Sequence, residues 1–346
     1  MQFARNFSIA YHCGYKLLTV RAPYPGGPAQ RYVLLEQGAS AKPPAAAARG
    51  ATRVTVPVHS VFSESTTQLQ ALVDIGAVGA ITGVASTRYV VSPVVRRHLR
   101  RSHVVEFAPT GDIDVERVVA SKPDVFFTQG TTTPAYEKLR AAGVPVVAVA
   151  EYLEPTPLGQ AEWSKFIAAF FDREDRASRA FAAVAARYGA LRARISVVAD
   201  RERPSVMTGY ADSGTFYEKG GRSVTATLIH DAGGRSVWSA NRSTGPLEID
   251  LERELHQAAN AQIWIDGSQF WTSLADVARD DPRYRALRPY RTAQVWVPNR
   301  VRNANGGLDY FERGIARPDL VLADLIRILH PDRAPRGGFT FYERLS

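Results

Sequence analysis

Asp114-Val115-Glu116-Arg117-Val118-Val119-Ala120-Ser121-Lys122-Pro123-Asp124-Val125-Phe126-Phe127 is the phrase on which the reading of this chain turns, because it returns later. The second copy runs Asp250-Leu251-Glu252-Arg253-Glu254-Leu255-His256-Gln257-Ala258-Ala259-Asn260-Ala261-Gln262-Ile263-Trp264-Ile265. Each copy opens Asp–apolar–Glu–Arg, passes through one short helix, turns at a breaker and enters a buried strand. The leading Asp caps the helix and meets its positive end, and the Glu in the first turn is favoured by the same dipole. Two capped helices account for both glutamates. The same spacing also leaves one exposed carboxylate, Glu116 or Glu252, at a matching place on each half. Internal duplication predicts two related lobes.

Around the first copy, strands alternate with short helices. Strands are expected at Arg53–Val58, Ala80–Val84, Val104–Phe107, Val125–Thr128 and Val144–Val149, and helices at Ser65–Ile75, Pro93–Arg101, Asp114–Ser121 and Ala135–Ala142. Such alternation implies a mainly parallel sheet with helices on both faces. The rhythm breaks between Gly159 and Ile195. There Trp163, Phe166, Ile167 and Phe170, then Phe181, Val184, Tyr188 and Leu191, recur at helical spacing. This is about 35 residues of helix, interrupted near Asp172–Asp175, and it reads as a rigid connector. Alternation then resumes, with strands at Ser205–Gly209, Ile263–Ile265 and Val295–Val297. The accompanying helices are Val224–Ala232, Leu251–Ala258, Leu274–Ala278 and Pro318–His330. Upstream, residues 7 to 35 alternate around the turn-rich Pro23–Pro28 and predict a β-hairpin, and Ala39–Ala51 is a Pro/Ala-rich connector. The domain reading is therefore 1–52, a hairpin and linker packed on the first lobe; 53–158, the first α/β lobe; 159–197, the linker helix; and 198–346, the second α/β lobe.

Composition narrows the function classes. With 346 residues the chain is long enough for two lobes, and the single cysteine, Cys13, excludes a disulfide scaffold and a thiolate zinc site. The net charge of +9 admits an anionic partner, but the one dense run, Arg96-Arg97-His98-Leu99-Arg100-Arg101, reads as a solvated helix end, and nucleic-acid binding lacks a recognition motif. There is no GxGxxG fingerprint, Walker sequence or Gly-x-Ser-x-Gly elbow. Glu151, Glu154 and Glu162 resemble an acid–base cluster, but capping where the first lobe meets the linker explains them better. The histidines show no metal-ligand spacing, so no protein-held metal and no resident cofactor are expected. No apolar secretory segment follows Met1, which leaves a cytosolic protein or a mature chain from which an export signal has been removed.

Together with Lys138–Val146, Glu151–Phe166, Leu228–Gly234 and Arg317–Pro331, the Asp114–Phe127 phrase resembles the substrate-binding proteins of ABC importers, specifically the helix-linked, two-lobed class that captures ferric siderophores, haem and cobalamin. The resemblance covers nearly all of residues 53–332. It implies an α/β fold of two Rossmann-like lobes with mainly parallel sheets joined by a long rigid α-helix, the class III periplasmic-binding-protein fold; the N-terminal β-hairpin is an addition to that pattern. It implies a periplasmic or otherwise extracytoplasmic monomer that is not an enzyme and partners a permease dimer in the membrane. Glu116 and Glu252 fall where the family docks into permease arginines. The cargo would be a ferric siderophore, with haem or a corrinoid such as cobalamin as the alternative. From another class, a cofactor-assembly or metal-inserting enzyme on the same fold is the competitor.

Ligands of open α/β sheets bind outside the carboxyl ends of the strands. In the first lobe this selects Ser65 and Thr66, then Arg88 and Tyr89, Thr110 and Thr131. In the second it selects Phe216, Tyr217, Arg222, Trp238, Trp271, Arg302 and Tyr310. Arginines there suit the oxygens of an anionic chelate, and loop aromatics suit a catecholate or a macrocycle.

Overall fold

A computed structural model describes residues 1–40 and 43–346; the middle of the expected Ala39–Ala51 connector lies outside the described residues. The first lobe is a five-stranded, wholly parallel sheet. Its order in space is Val105–Glu106, Ile81–Val84, Val61–Ser63, Val125–Thr128, Val146–Ala148. Val125–Thr128 is buried along its whole length, as expected of a strand covered on both faces. The second lobe repeats the theme with Arg235–Ser236, Ser205–Met207, Ile263–Ile265 and Val295–Val297 in parallel, closed by antiparallel Glu343–Arg344.

The repeated phrase occupies equivalent places in the two sheets. Helix Val115–Ser121 feeds strand Val125–Thr128, which pairs with the first strand of its lobe; helix Leu251–Ala258 feeds Ile263–Ile265, which does the same. Asp114 Oδ1 accepts from Arg117 N at 2.9 Å, and Asp250 Oδ1 accepts from Glu252 N at 2.9 Å and Arg253 N at 3.3 Å. The first helix ends at Lys122, in the left-handed region at φ 47, directly before Pro123.

The connector is two helices rather than one. Pro157–Ala168 starts with Thr156 accepting from Gly159 N, and Glu174–Ile195 carries the chain into the second lobe. Between them Asp172 takes a φ of 52, and the buried Lys16 fills the break. Its Nζ donates to Ala169 O at 2.9 Å and meets Asp172 at 2.6 Å and Glu174 at 2.5 Å. The two helices bury Trp163, Phe166 and Ile167 against the first lobe, and Phe181, Val184 and Tyr188 against the second.

Lys16 belongs to an N-terminal sheet that is larger than the expected hairpin. Phe7–His12, Tyr15–Val20 and Gln30–Glu36 form an antiparallel meander, and Thr52–Val56 adds in parallel to its third strand. The expected strand Arg53–Val58 therefore serves this sheet, not the first lobe. Pro57 has no N–H to continue the ladder, and the first strand of the lobe is the short Val61–Ser63, opened by Asp124 accepting from His59 N and Ser60 N. Phe7, Tyr32 and Leu34 pack onto the linker face of Trp163 and Phe166. Glu162 accepts from the N–H groups of Gln2, Phe3 and Ala4, and Glu154 from those of Arg5 and Asn6. Two of the three connector carboxylates thus cap the backbone of the N-terminal segment. No helix among the described residues is long and apolar enough to cross a membrane.

Candidate functional site: a cleft between the lobes

Where the two lobes face each other lies an open cavity of about 820 Å3. Its first-lobe wall is made of the segments that leave strands Val61–Ser63, Ile81–Val84 and Val105–Glu106 at their carboxyl ends. Its second-lobe wall is Gln269, Gly306, Gly307, Leu308 and Phe311. The position follows from the topology: parallel strands end together, and their loops converge on one edge.

Local hydrogen bonds fix the first-lobe wall. Ser65 Oγ accepts from Thr67 N at 3.3 Å, and Ser63 Oγ donates to Gln68 Oε1 at 2.7 Å. Glu64 accepts from Tyr136 Oη at 2.6 Å and from Gln129 N at 2.9 Å; burial still pushes its carboxyl above the usual range, against those two donors. Glu106 holds the next loop. Its partial burial opposes ionisation, but donation from Thr87 N, Ser86 and the Thr87 hydroxyl, with Arg117 nearby, outweighs this and lowers its pKa. Arg88 follows on that anchored turn. Its guanidinium lies 5.6 Å from the centroid of the Tyr89 ring and has no carboxylate within 4.0 Å among the described residues. Tyr89 and Phe311 face each other's lobes with 48% and 42% of their surface exposed. Among the described residues, the cleft therefore offers one free cation, two exposed rings and a row of hydroxyls. Such a set can embrace a large, partly aromatic, anionic solute.

Two side chains of the second lobe hold the cleft's edge. Asn303 Nδ2 donates to Arg88 O at 2.9 Å and Val90 O at 3.2 Å, while the buried Glu312 accepts from Val91 N at 2.5 Å and Ser92 N at 3.1 Å. Gly307 lets the backbones approach; a Cβ there would lie 2.3 Å from Tyr89 O.

Of the residues expected from the sequence, Ser65, Thr66, Arg88, Tyr89 and Thr110 line this cleft. The second-lobe set does not. Phe216 is fully buried under an antiparallel sheet formed by Tyr210–Asp212, Thr215–Lys219 and Pro246–Asp250, and Tyr217 faces solvent from the same strand. Trp271 is a core residue packed on Trp264 and Tyr284, with its Nε1 on Asp280. Trp238 donates to Glu254 at 2.7 Å, and Tyr310 packs on Phe341 and Tyr342. Arg302 pairs its backbone with Leu308 and is exposed outside the cleft wall, Thr131 turns to Tyr136, and Arg222 lines a different cavity. The physical reason is shared: the second lobe spends the loop after its first strand on the extra antiparallel sheet, so the cleft wall falls to the 303–311 segment. Gln269, two residues before the expected Trp271, and the Gly306-Gly307 pair, a signal for close backbone approach, were the readable hints.

Glu116 and Glu252 are both exposed on the first turns of their helices. These helices run antiparallel to the strands they feed, so both carboxylates stand at the carboxyl-end level of their sheets, the level of the cleft. Among the described residues, no group of three or more His, Cys, Asp and Glu side chains is placed to hold a metal.

A sequence profile of the periplasmic binding protein family matches residues 60–297. The chain belongs to that family, and its two helix-linked lobes have the class III form of the fold. It is 25% identical over 294 residues to uncharacterized lipoprotein MJ0878 of Methanocaldococcus jannaschii, covering 81% of this chain and 67% of the relative. Among solved structures it is similar to a periplasmic heme binding protein from Pseudomonas aeruginosa, with a TM-score of 0.64 at 17% identity over 84% of this chain and 98% of the other. It is also similar to Helicobacter pylori CeuE with Ni(II) bound, with a TM-score of 0.62 at 14% identity over 81% and 86%.

Proposed function

We propose that the protein is the substrate-binding component of an ABC importer, working outside the cytoplasmic membrane, and that it captures a ferric siderophore in the inter-lobe cleft and hands it to a membrane permease. The observation that carries the reading is the cleft itself: both lobes wall it, and it presents an unpaired Arg88 beside Tyr89 and Phe311. A guanidinium pairs with carboxylate or catecholate oxygens of an anionic chelate, and the rings cover its apolar body. Glu116 and Glu252 supply a two-point key for permease arginines. The two-segment connector, stitched at its break by Lys16, favours small hinge closure over a wide clamshell motion. The lipoprotein name of the archaeal relative and the periplasmic names of the structural neighbours support the location. Haem is the second reading, favoured by the two exposed rings and by the heme-binding neighbour.

A thermal-shift panel of ferric siderophores, haem and corrinoids tests it, since a bound ligand raises the unfolding temperature by mass action. A ferric chelate that stabilises the wild type and binds Arg88→Gln at least about tenfold more weakly is the expected result. Stabilisation by neutral cobalamin alone, unaffected at Arg88, would replace the siderophore reading.

A further inference from the structure

A second cavity, also of about 820 Å3, lies away from the cleft, where the N-terminal segment and the start of the connector meet the second lobe. Arg5 and Thr156 border it from one side, and Arg203, Arg222, His230 and Arg235 from the other. Its charge differs sharply from that of the cleft. Four arginines line it against a single carboxylate, Asp200, whereas the cleft has Arg88 against Glu64.

The arginines are placed from different parts of the fold. Arg5 is held by Glu154, which accepts from its backbone N–H at 2.8 Å. Arg222 is anchored through its N–H to Ser243 O at 2.9 Å, and Arg235 through its N–H to Pro204 O at 2.9 Å. Arg5, Arg222 and Arg235 have no carboxylate within 4.0 Å among the described residues. The fourth, Arg203, is largely buried. Its Nη1 donates to His230 O at 3.2 Å and Asp200 Oδ1 stands 3.2 Å from its Nε, but that buried Nε makes no hydrogen bond. Arg203 is thus already paired with Asp200, and the cavity's uncompensated positive charge comes from Arg5, Arg222 and Arg235. Thr156, Ser239 and Thr244 add neutral hydroxyl donors around the rim.

From this geometry we propose that the cavity is a second, phosphate-binding site, separate from the transport cleft, for a ligand carrying at least two negative charges. Planar guanidiniums match phosphate oxygens in pairs, and unpaired cations converging from three segments hold a doubly charged group better than a monocarboxylate. The shared chemistry is a phosphate ester or anhydride, whether free in solution or the head group of an anionic lipid. Because Arg5 and Thr156 come from the N-terminal segment and the start of the connector and the other arginines from the second lobe, an occupant also ties these parts together from outside the cleft.

The test uses the full chain and inorganic pyrophosphate in calorimetry, alongside flotation with phosphatidylcholine vesicles with and without phosphatidic acid, whose phosphomonoester can carry two negative charges. Wild type should bind pyrophosphate, bind phosphatidic-acid vesicles, or both, more weakly in added salt. Arg222→Ser/Arg235→Ser, both exposed positions, should lose at least about tenfold in affinity while keeping its unfolding temperature, and Arg88→Ser should stay within about twofold of wild type. Vesicle binding without pyrophosphate binding, lost in the double variant, assigns the site to a lipid phosphate; the reverse assigns it to a soluble one. Binding of neither, binding unchanged in the double variant, or binding lost in Arg88→Ser instead, overturns the proposal. Cleft ligands are read separately, so failure here leaves the transport reading standing.

Discussion

Glu116 and Glu252 stand on similar helices above dissimilar foundations. Beneath the first helix, Val118 rests on an aromatic cluster of Phe107, Phe126 and Tyr136. Beneath the second, Glu254 from the helix itself meets Glu218 from strand Thr215–Lys219, and both are fully buried. Neither carboxyl has an ion-pair partner among the described residues. Trp238 donates to Glu254 Oε2, while Glu254 Oε1 has no partner; Glu218 accepts from Thr208 N at 3.1 Å and Lys219 N at 2.7 Å. Burial, and for Glu218 the facing carboxylate, raises Glu218 well above the usual range and pushes Glu254 up to about 7. The lesson is that duplicated surface geometry does not require a duplicated interior: the same outward carboxylate stands over packed rings in one lobe and over a buried carboxyl pair in the other.

The first lobe's support should show the largest effect. Phe126→Ala removes a fully buried ring and should cost about 3–5 kcal/mol, at all pH values alike, in denaturant unfolding. A cost that varied with pH would break the contrast between the lobes. The second lobe's support should respond to pH. Its contribution is complete below about pH 4.5, where Glu254 is protonated folded or unfolded, and is lost as pH rises through about 7. The unfolding temperature should therefore fall across that window, and Glu254→Gln should flatten the fall. An unchanged slope would remove the acid pair from the account. Smallest are the outward carboxylates. Glu116→Gln and Glu252→Gln should each cost about 0.3–1 kcal/mol, the loss of a charge at a helix N-terminus, and the two losses should match within error.

The two-lobed plan was legible because duplication, capping and burial all act locally. Asp114 and Asp250 cap as their positions dictate, and Val125–Thr128 reads as the buried strand it is. Val61–Ser63 was not legible, since three residues carry no period; the longer apolar run of Arg53–Val58 took its place, although its partner strand lies in the N-terminal sheet. On the cleft, first-lobe contacts follow directly from strand ends, which is why Ser65, Arg88 and Thr110 sit on its wall. The second-lobe wall depended on a long-range event, the pairing of Thr215–Lys219 with Pro246–Asp250, which buries Phe216 and redirects the chain. Aromatic residues also misled in a regular way: Trp271 lies in a loop by sequence but reaches the core through ring contacts that spacing cannot show.

In the proposed function, the two lobes hold cargo between them and each offers one carboxylate to the membrane partner. Measuring ligand affinity and transport side by side for Glu116→Lys/Glu252→Lys tests it most directly. Affinity within about twofold of wild type, with uptake reduced at least about tenfold, is the predicted result. Normal uptake, or affinity lost along with it, would contradict the separation of gripping from docking.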